Sequence, residues 1–355
     1  MVVTALRTGT VRLASMLATP LVPADYVELV DPLLSAGPLR ARVVDVRHET
    51  KDAATVVLRA GRGWSGHTPG QWIKIGVDID GVRHWRSYSL TSVPNDGRRL
   101  SITVKVVPKG RVSTFLARQA RPGMLVHLDQ ACGDFVLPEC PPPRSLFVTA
   151  GSGITPVMGM LRHRVDKLED VVVVHSAPFS DDVIFGDELR QLGRTGRIRL
   201  IERHTGVDGH VTTAQLSEIV PDWRERETWG CGPTDLLDAL EAHWSAHGLG
   251  QRLHLERFRP KMAGPVGGAG GEITFDRSGV TVQADADTPL LDVGEDAGVL
   301  LRSGCRMGIC FSCVTPLQEG AIRDLRTGEV VVADGGPVLI QTCVSAAAGR
   351  CQLDA

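Results

Sequence analysis

The sequence predicts three folded blocks in order: an antiparallel β-barrel, an α/β domain on a parallel sheet, and a small β-rich domain carrying a cysteine loop. Three observations lead there. Residues 39–137 read as short apolar strands, residues 144–258 alternate strand-like and helix-like patterns, and a Gly/Pro-rich stretch precedes a crowd of cysteines. A chain of 355 residues has room for two or three such cores. Hydrophobic and charged contents of 43% and 23% are those of ordinary globular protein.

The formal net charge of −2 leaves no positive excess to neutralise phosphates, which argues against a nucleic-acid binder. Charge is nevertheless unevenly spread. Residues 272–355 hold 12 acidic and 6 basic side chains, leaving 29 acidic and 33 basic in residues 1–271. An acidic module on a mildly basic body favours electrostatic docking or partner steering.

Residues 1–38 read as an N-terminal arm. The first 24 contain no acid, but Arg12, Ser15, Thr19 and Pro20 break the apolar run, so a signal peptide is not expected. A packed arm and an amphipathic helix on a membrane surface both fit. Residues 145–161 carry no charge, yet Gly151, Gly153, Pro156 and Gly159 mark strand, turn and helix start rather than a transmembrane span. The expected location is cytoplasmic, with peripheral membrane contact as an option.

The barrel block, residues 39–140, is anchored by a hairpin. Residues 71–78 and 82–90 flank Asp80-Gly81, a pair suited to the positive φ angles of a tight turn. Residues 101–107 (SITVKVV) alternate like a further strand. In the second block, residues 141–259, strands are expected at 145–150, 171–176, 197–202 and 228–231, separated by helices. Residues 260–271 (PKMAGPVGGAGG) are a linker, spanning roughly 20 Å root-mean-square as a flexible coil. Two short strands, 272–276 and 280–284, open the third block, residues 272–355.

That block contains Cys305-x4-Cys310-x2-Cys313 and, later, Cys343. This is plant-type 2Fe–2S spacing: three thiolates from one tight loop and a fourth from a distant strand. Gly304 and Gly308 allow close backbone approach to the inorganic sulfides. Structural zinc usually takes two CxxC-like pairs, and only one is present. Cys351 is expected to be a buried small hydrophobe.

Together SGCRMGICFSC and QTCVSA resemble the ferredoxin-domain signature of multidomain oxygenase reductases, which implies a β-grasp ferredoxin domain. In the barrel block, Pro69-Gly70-Gln71, Arg86-Ser87-Tyr88-Ser89 and Lys109-Gly110 followed by Val112-Ser113 resemble the ferredoxin–NADP reductase superfamily. The resemblance covers residues 39–258 and makes the barrel a flavin domain, with FAD favoured over FMN. Arg86 would then pair with a flavin phosphate, Tyr88 offer its face to the isoalloxazine, and Ser89 hydrogen-bond N5, where hydride arrives. Val104, Lys105, Gly110 and Val112 complete the expected flavin contacts. Ser113 is expected as an N-cap that turns helix N–H groups toward the pyrophosphate.

Gly151-Ser152-Gly153-Ile154-Thr155-Pro156 follows a strand and opens a helix, with Pro156 where a full fingerprint has its third glycine. Gly151, Gly153, Thr155 and Pro156 are the expected phosphate contacts. Cys231-Gly232-Pro233 supplies the later turn of the superfamily pattern, with Cys231 implied near the nicotinamide C4. No acid stands in Ser176-Ala177-Pro178-Phe179, and Pro178 stands where many relatives carry Arg. Arg203, after the next strand, is the substitute cation, and NADPH is preferred with NADH as the alternative.

The expectation is an NADPH-to-FAD-to-2Fe–2S reductase for a separate redox acceptor. The arm PLVPADYVELVDPLLSA and the elements HSAP, PDWRER, HLERF and RMGIC resemble actinobacterial NADPH oxidoreductases that support acyl-CoA desaturases. This implies a membrane di-iron fatty-acyl desaturase or alkane hydroxylase as partner. The alternatives are a reductase of a soluble ring-hydroxylating or haem monooxygenase, and a non-catalytic redox sensor or scaffold.

Overall fold

A computed structural model describes residues 23–34, 37–94, 98–108, 110–262, 268 and 270–355. Most of the N-terminal arm, Lys109 and much of the linker lie outside them. The chain forms two compact units. The first takes most of the barrel and the parallel sheet. The second takes residues 256–355 with two short pieces, 84–87 and 232–238.

Six strands, in the first unit apart from residues 84–87 of β4, form an antiparallel sheet: β1 (Arg40–Thr50), β2 (Ala53–Ala60), β3 (Trp72–Ile79), β4 (Val82–Ser89), β5 (Arg99–Lys105) and β6 (Leu125–Leu128). Their order is β4-β3-β6-β1-β2-β5, and an isolated bridge between Leu90 and Ile102 brings the two edges together. The sheet thereby closes, which removes its exposed edges. Asp80 and Gly81 sit at φ 52° and 79°, the geometry of the expected tight turn. Inward-facing Val43, Val56, Leu58, Ile73, Ile75 and Ile102 fill the interior.

The parallel sheet follows, with β7 (Arg144–Ala150), β8 (Asp170–Ala177), β9 (Arg199–His204), β10 (Glu227–Cys231) and β11 (Leu253–Glu256) in the order β11-β10-β7-β8-β9. Strands β10, β7, β8 and β9 are mutually parallel. The order reverses between β7 and β10, which makes their carboxyl ends the topological switch point where open α/β sheets bind ligands. One face packs Phe147, Val173 and Trp229 against Ile154, Val157 and Leu161 of the helix Ile154–Arg164.

The second unit contains β12 (Gly271–Phe275), β13 (Val280–Ala284), β14 (Val314–Asp324), β15 (Val330–Ala333), β16 (Val338–Gln341) and β17 (Ser345–Leu353). The order is β13-β12-β17-β14-β15, with β16 also on β14. Among the described residues of this sheet, β12 and β17 run parallel and the other pairs antiparallel. With the helix Leu290–Asp296, which buries Leu290 and Leu291, this mixed sheet is a β-grasp domain. Cys351 lies buried in its core on β17, and burial pushes its thiol up to about 11, so it is a packing residue. Among the described residues no helix is long and apolar enough to cross a membrane.

Candidate redox site

The cysteine loop holds three left-handed residues. Arg306, Gly308 and Phe311 adopt φ 57°, 72° and 56°, so successive N–H groups turn inward. Cys305 N donates to Cys310 Sγ at 3.2 Å, and Met307 N donates to Cys305 Sγ at 3.2 Å. Cys313 and Cys343 thiols lie 3.2 Å apart. The four thiols therefore stand as two pairs, one within the loop and one joining the loop to the segment before β17.

Among the described residues, no three His, Cys, Asp or Glu side chains converge on a single ion position. Zinc would need all four thiolates around one centre. Two pairs suit a two-iron cluster, in which each iron takes two thiolates. The shared hydrogen bond with Cys343 draws the Cys313 thiol down and pushes Cys343 up, so the two thiols share one proton more readily than two separate buried thiols would.

Neighbours the sequence did not single out hold this loop in place. Gln341 Nε2 and Arg326 Nη1 both donate to the Gly308 carbonyl, at 2.9 and 3.3 Å. Thr342 Oγ1 donates to the Cys313 carbonyl at 3.1 Å. Arg306 pairs with both Asp292 and Glu295, tying the loop to the helix Leu290–Asp296. The polar pair Gln341-Thr342 immediately before Cys343 was the available signal.

In the barrel, β4 ends on Ser89, whose side chain is 3% exposed and whose hydroxyl has no hydrogen-bond partner among the described residues. A buried hydroxyl left without a partner costs about 1–3 kcal/mol, so the site suits a polar ligand atom. Tyr88 packs half-buried on the barrel core. Arg86 donates to the Trp85 carbonyl at 2.7 Å and groups with the second unit, whereas Tyr88 and Ser89 belong to the first. Val104 is fully buried and Lys105 pairs with Asp52 at 3.5 Å. The Val104 side chain is thus used by the core, and its contact to a cofactor would come through the backbone.

Ser113 is not the expected N-cap. The short helix Arg111–Thr114 is capped by Gly110, without a side-chain bond, and Ser113 lies inside it. Its hydroxyl instead closes the turn, accepting from Val107 N at 3.2 Å and donating to the Gly110 carbonyl at 3.1 Å. A Cβ on Gly110 would come within 2.5 Å of that hydroxyl, so glycine is required. Val112 is buried, and the helix continues as a π-turn, Phe115–Gln119.

At the carboxyl edge of the parallel sheet, Gly151–Gly153 forms a 3-10 turn that leads into the helix Ile154–Arg164. Gly151 has φ 53°, and a Cβ there would meet nothing within 4 Å, so the turn has open space above it. Thr155 Oγ1 donates to the Ser152 carbonyl at 2.9 Å, and Pro156 falls in the first helical turn. The strand register sets Cys231 beside Thr149, Thr149 beside His175, and Ser176 beside both Ala150 and Arg203. Ser176 is buried, and its hydroxyl too has no partner among the described residues. Gly232 and Pro233 form the turn after β10, where the Pro233 carbonyl accepts from Leu237 N.

Arg203 donates to the Asp208 and Gly209 carbonyls, at 2.8 and 3.4 Å. Glu202 is occupied differently: Arg190 grips it through two bonds of 2.8 Å and His204 approaches at 3.2 Å.

A closed barrel, a parallel sheet with a glycine turn at its switch point and a paired four-thiol loop define the class: a flavin- and iron–sulfur-dependent electron-transfer reductase. Sequence comparisons agree. Residues 40–137 match the oxidoreductase FAD-binding domain, 147–241 the oxidoreductase NAD-binding domain, and 273–348 the 2Fe–2S iron–sulfur cluster binding domain. The chain is 49% identical over 350 residues to the NADPH oxidoreductase of Mycobacterium tuberculosis, covering 97% of this chain and 91% of that one. It is 29% identical to the glycine betaine monooxygenase reductase subunit of Pseudomonas aeruginosa, over 88% of this chain and 94% of that protein. In fold it is similar to phthalate dioxygenase reductase, with a TM-score of 0.64 at 24% identity, covering 90% and 98% of the two chains.

The chain belongs to the ferredoxin–NADP reductase superfamily, in the branch that carries a C-terminal 2Fe–2S domain. It is an NAD(P)H-dependent oxidoreductase whose cofactors are FAD, a nicotinamide nucleotide and a 2Fe–2S cluster.

Proposed function

We propose that this chain draws electrons from NADPH and delivers them singly, through FAD and the cluster, to a separate redox protein. When bound, FAD supplies the exchange between two-electron and one-electron chemistry, and the cluster supplies one-electron carriage. The observation that carries this reading is the paired arrangement of Cys305 with Cys310 and of Cys313 with Cys343 on a chain that also holds the nucleotide turn.

In this reading the cysteines hold the cluster and their N–H-lined loop offsets its negative charge. Ser89 places its hydroxyl at the flavin, Tyr88 its ring and Arg86 its charge, while Gly110, Val112 and Ser113 shape the turn against the phosphates. Gly151, Gly153, Thr155 and Pro156 receive the dinucleotide pyrophosphate, with the helix N-terminus favouring anions. Cys231, Gly232 and Pro233 border the nicotinamide.

The preference for NADPH rests on the charge at the carboxyl ends of β8 and β9. A free ribose 2′-hydroxyl is usually met by a carboxylate there. Glu202 is committed to Arg190 and His204, whereas Arg203 meets no carboxylate within ion-pair distance among the described residues and stands beside Ser176. A cation beside a buried hydroxyl suits a 2′-phosphate.

The acceptor fits an oxygen-activating enzyme, since the glycine betaine relative is the reductase subunit of a monooxygenase. The resemblance to desaturase-supporting reductases favours a membrane di-iron desaturase or alkane hydroxylase.

Anaerobic titration with NADPH, then NADH, tests the reading by visible absorbance and low-temperature EPR. Flavin bleaching followed by a reduced 2Fe–2S signal is expected, with NADPH the more effective donor. A colourless protein, after iron and flavin supplementation, would overturn it. In Cys310→Ser, NADPH-to-ferricyanide activity should survive while delivery to ferredoxin-type acceptors is lost. Loss of both in folded, flavin-bound protein contradicts the carrier order.

A further inference from the structure

The helix Ile154–Arg164 begins at the glycine turn assigned above to the nucleotide and ends against the barrel segment that follows Ser89. Two features press it there. Gly159 lies so close that a Cβ on it would come within 2.6 Å of the Leu90 carbonyl oxygen and 3.7 Å of Gly70 N. Gly70, at φ 100°, is itself confined: its Cβ would meet the Phe135 carbonyl oxygen at 2.0 Å and Met160 Cε at 2.6 Å. One helix face therefore packs closely on the Leu90 backbone, next in sequence to Ser89, through Gly159, and on Gly70 of the Pro69-Gly70-Gln71 turn through Met160.

One turn further on, Arg162 locks this contact. Its Nη1 donates to the Thr91 carbonyl at 2.7 Å, two residues beyond Ser89. The rest of the guanidinium grips Glu188 through bonds of 2.8 and 2.6 Å and lies 4.6 Å from the centre of the Phe185 ring. Phe185 is buried and holds a left-handed φ of 61°. Thr91 is fully buried, its N–H donating to the Ser101 carbonyl and its hydroxyl 2.8 Å from Ser101 Oγ. The carbonyl that Arg162 takes thus belongs to a segment with no slack of its own. A planar guanidinium can serve a carboxylate and a carbonyl at once, which an ammonium cannot do with the same geometry.

We propose that Arg162 is a positioning residue for hydride transfer, fixing the distance between the nucleotide turn at the start of its helix and the Ser89 end of the flavin motif. The proposal rests on the placement of flavin and nucleotide given under the proposed function. Arg162 touches neither. It acts through Thr91 on Ser89 and through its helix on Gly151–Gly153, with Gly159 making the approach possible. Hydride transfer needs reacting atoms about 3–3.5 Å apart, and an error of about 1 Å can cost about 100-fold in rate.

The test uses the full-length holoprotein. In Arg162→Met, FAD content per chain should stay at the wild-type level and the Kd for NADP+ should move less than about threefold. The single-turnover rate of flavin bleaching by NADPH should fall about 10–100-fold, with a larger isotope effect from 4-deuterated NADPH. Hydrogen exchange should rise in residues 89–91 and 154–162 but not in β12–β17. Arg162→Lys should recover part of the rate, and Gly159→Ala, which touches no charge, should repeat the defect. Wild-type bleaching rates in flavin-replete Arg162→Met and Gly159→Ala overturn the proposal, as does loss of FAD from folded Arg162→Met, which would make the residue part of flavin retention. If Arg162→Met does not fold, Gly159→Ala and Arg162→Lys decide by the same criteria. Failure of the wild-type protein to bind FAD, or to be bleached by NADPH, is a different result and strikes the underlying assignment.

Discussion

His175 shows how one buried side chain links the nucleotide edge to stability. It is fully buried on β8, its Nδ1 2.8 Å from Thr149 Oγ1, and its Nε2 has no partner among the described residues. Burial drives its pKa from an ordinary 6.5 down to about 4, so the folded protein keeps the imidazole neutral. The unfolded chain takes up the proton from about pH 6.5 downward. Stability attributable to this residue is therefore fully present above pH 6.5 and is lost progressively as pH falls from 6.5 to 4. At about 1.4 kcal/mol per unit, the loss is roughly 3 kcal/mol. Urea midpoints at pH 7.5, 6 and 5 should fall more steeply for wild type than for His175→Gln, which keeps a hydrogen-bonding group beside Thr149 but cannot titrate. Parallel curves would assign the acid sensitivity to other groups. The same residue was invisible as a site in the sequence. HSAP reads as the end of a strand, and only the register across β7 and β8 brings His175 to Thr149 and, one strand further, Thr149 to Cys231.

Elements were legible where the signal is local. Asp80-Gly81 announced its hairpin because a tight turn needs positive φ at both positions, and the cysteine spacing announced its cluster because a short loop must wrap it. Ser113 failed because capping depends on which residue starts the helix: Gly110 starts it, and the hydroxyl turns back into its own turn. The pairing of the thiols was not legible either, since spacing names four ligands without saying which two share an iron. Nor was the Gly159–Leu90 contact, which joins residues 69 positions apart in sequence. Gly304 belongs to the legible part, for a sharper reason than backbone approach in general. A Cβ there would fall 2.6 Å from Cys310 Sγ and 2.8 Å from the Ser312 side chain. Gly304→Ala must displace one member of the loop's thiol pair, so iron and labile sulfide per chain should drop at least twofold while FAD content holds. Gly335→Ala, where a Cβ meets nothing within 4 Å, is the matched control. Full iron content in Gly304→Ala would show that the thiols can shift without losing the cluster.

At the scale of the whole molecule the charge distribution carries the argument. Residues 272–355 hold a formal charge of about −6 and the remainder about +4, so a nearly neutral chain is strongly divided. The division follows the domains: the acidic excess accompanies the cluster domain, while the Lys and Arg excess lies in the flavin barrel, where residues 39–140 hold 16 basic and 9 acidic side chains against 14 and 17 in residues 141–259. Long-range attraction between exposed charges reaches about 30 Å at 0.01 M salt and about 3 Å at 1 M. Electron passage between flavin and cluster, and from cluster to acceptor, should therefore change with ionic strength if these charges guide the encounter. The measurement is stopped-flow reduction of the cluster after rapid flavin bleaching by saturating NADPH, from 10 mM to 500 mM sodium chloride. A monotonic fall is expected as the acidic segment loses its attraction to the basic body. A variant with Asp285, Asp287, Glu319 and Glu329 changed to Asn or Gln should start lower and respond less. If rates are flat across the series in both proteins, contact between the carriers is set by packing, and the acidic excess serves only solubility.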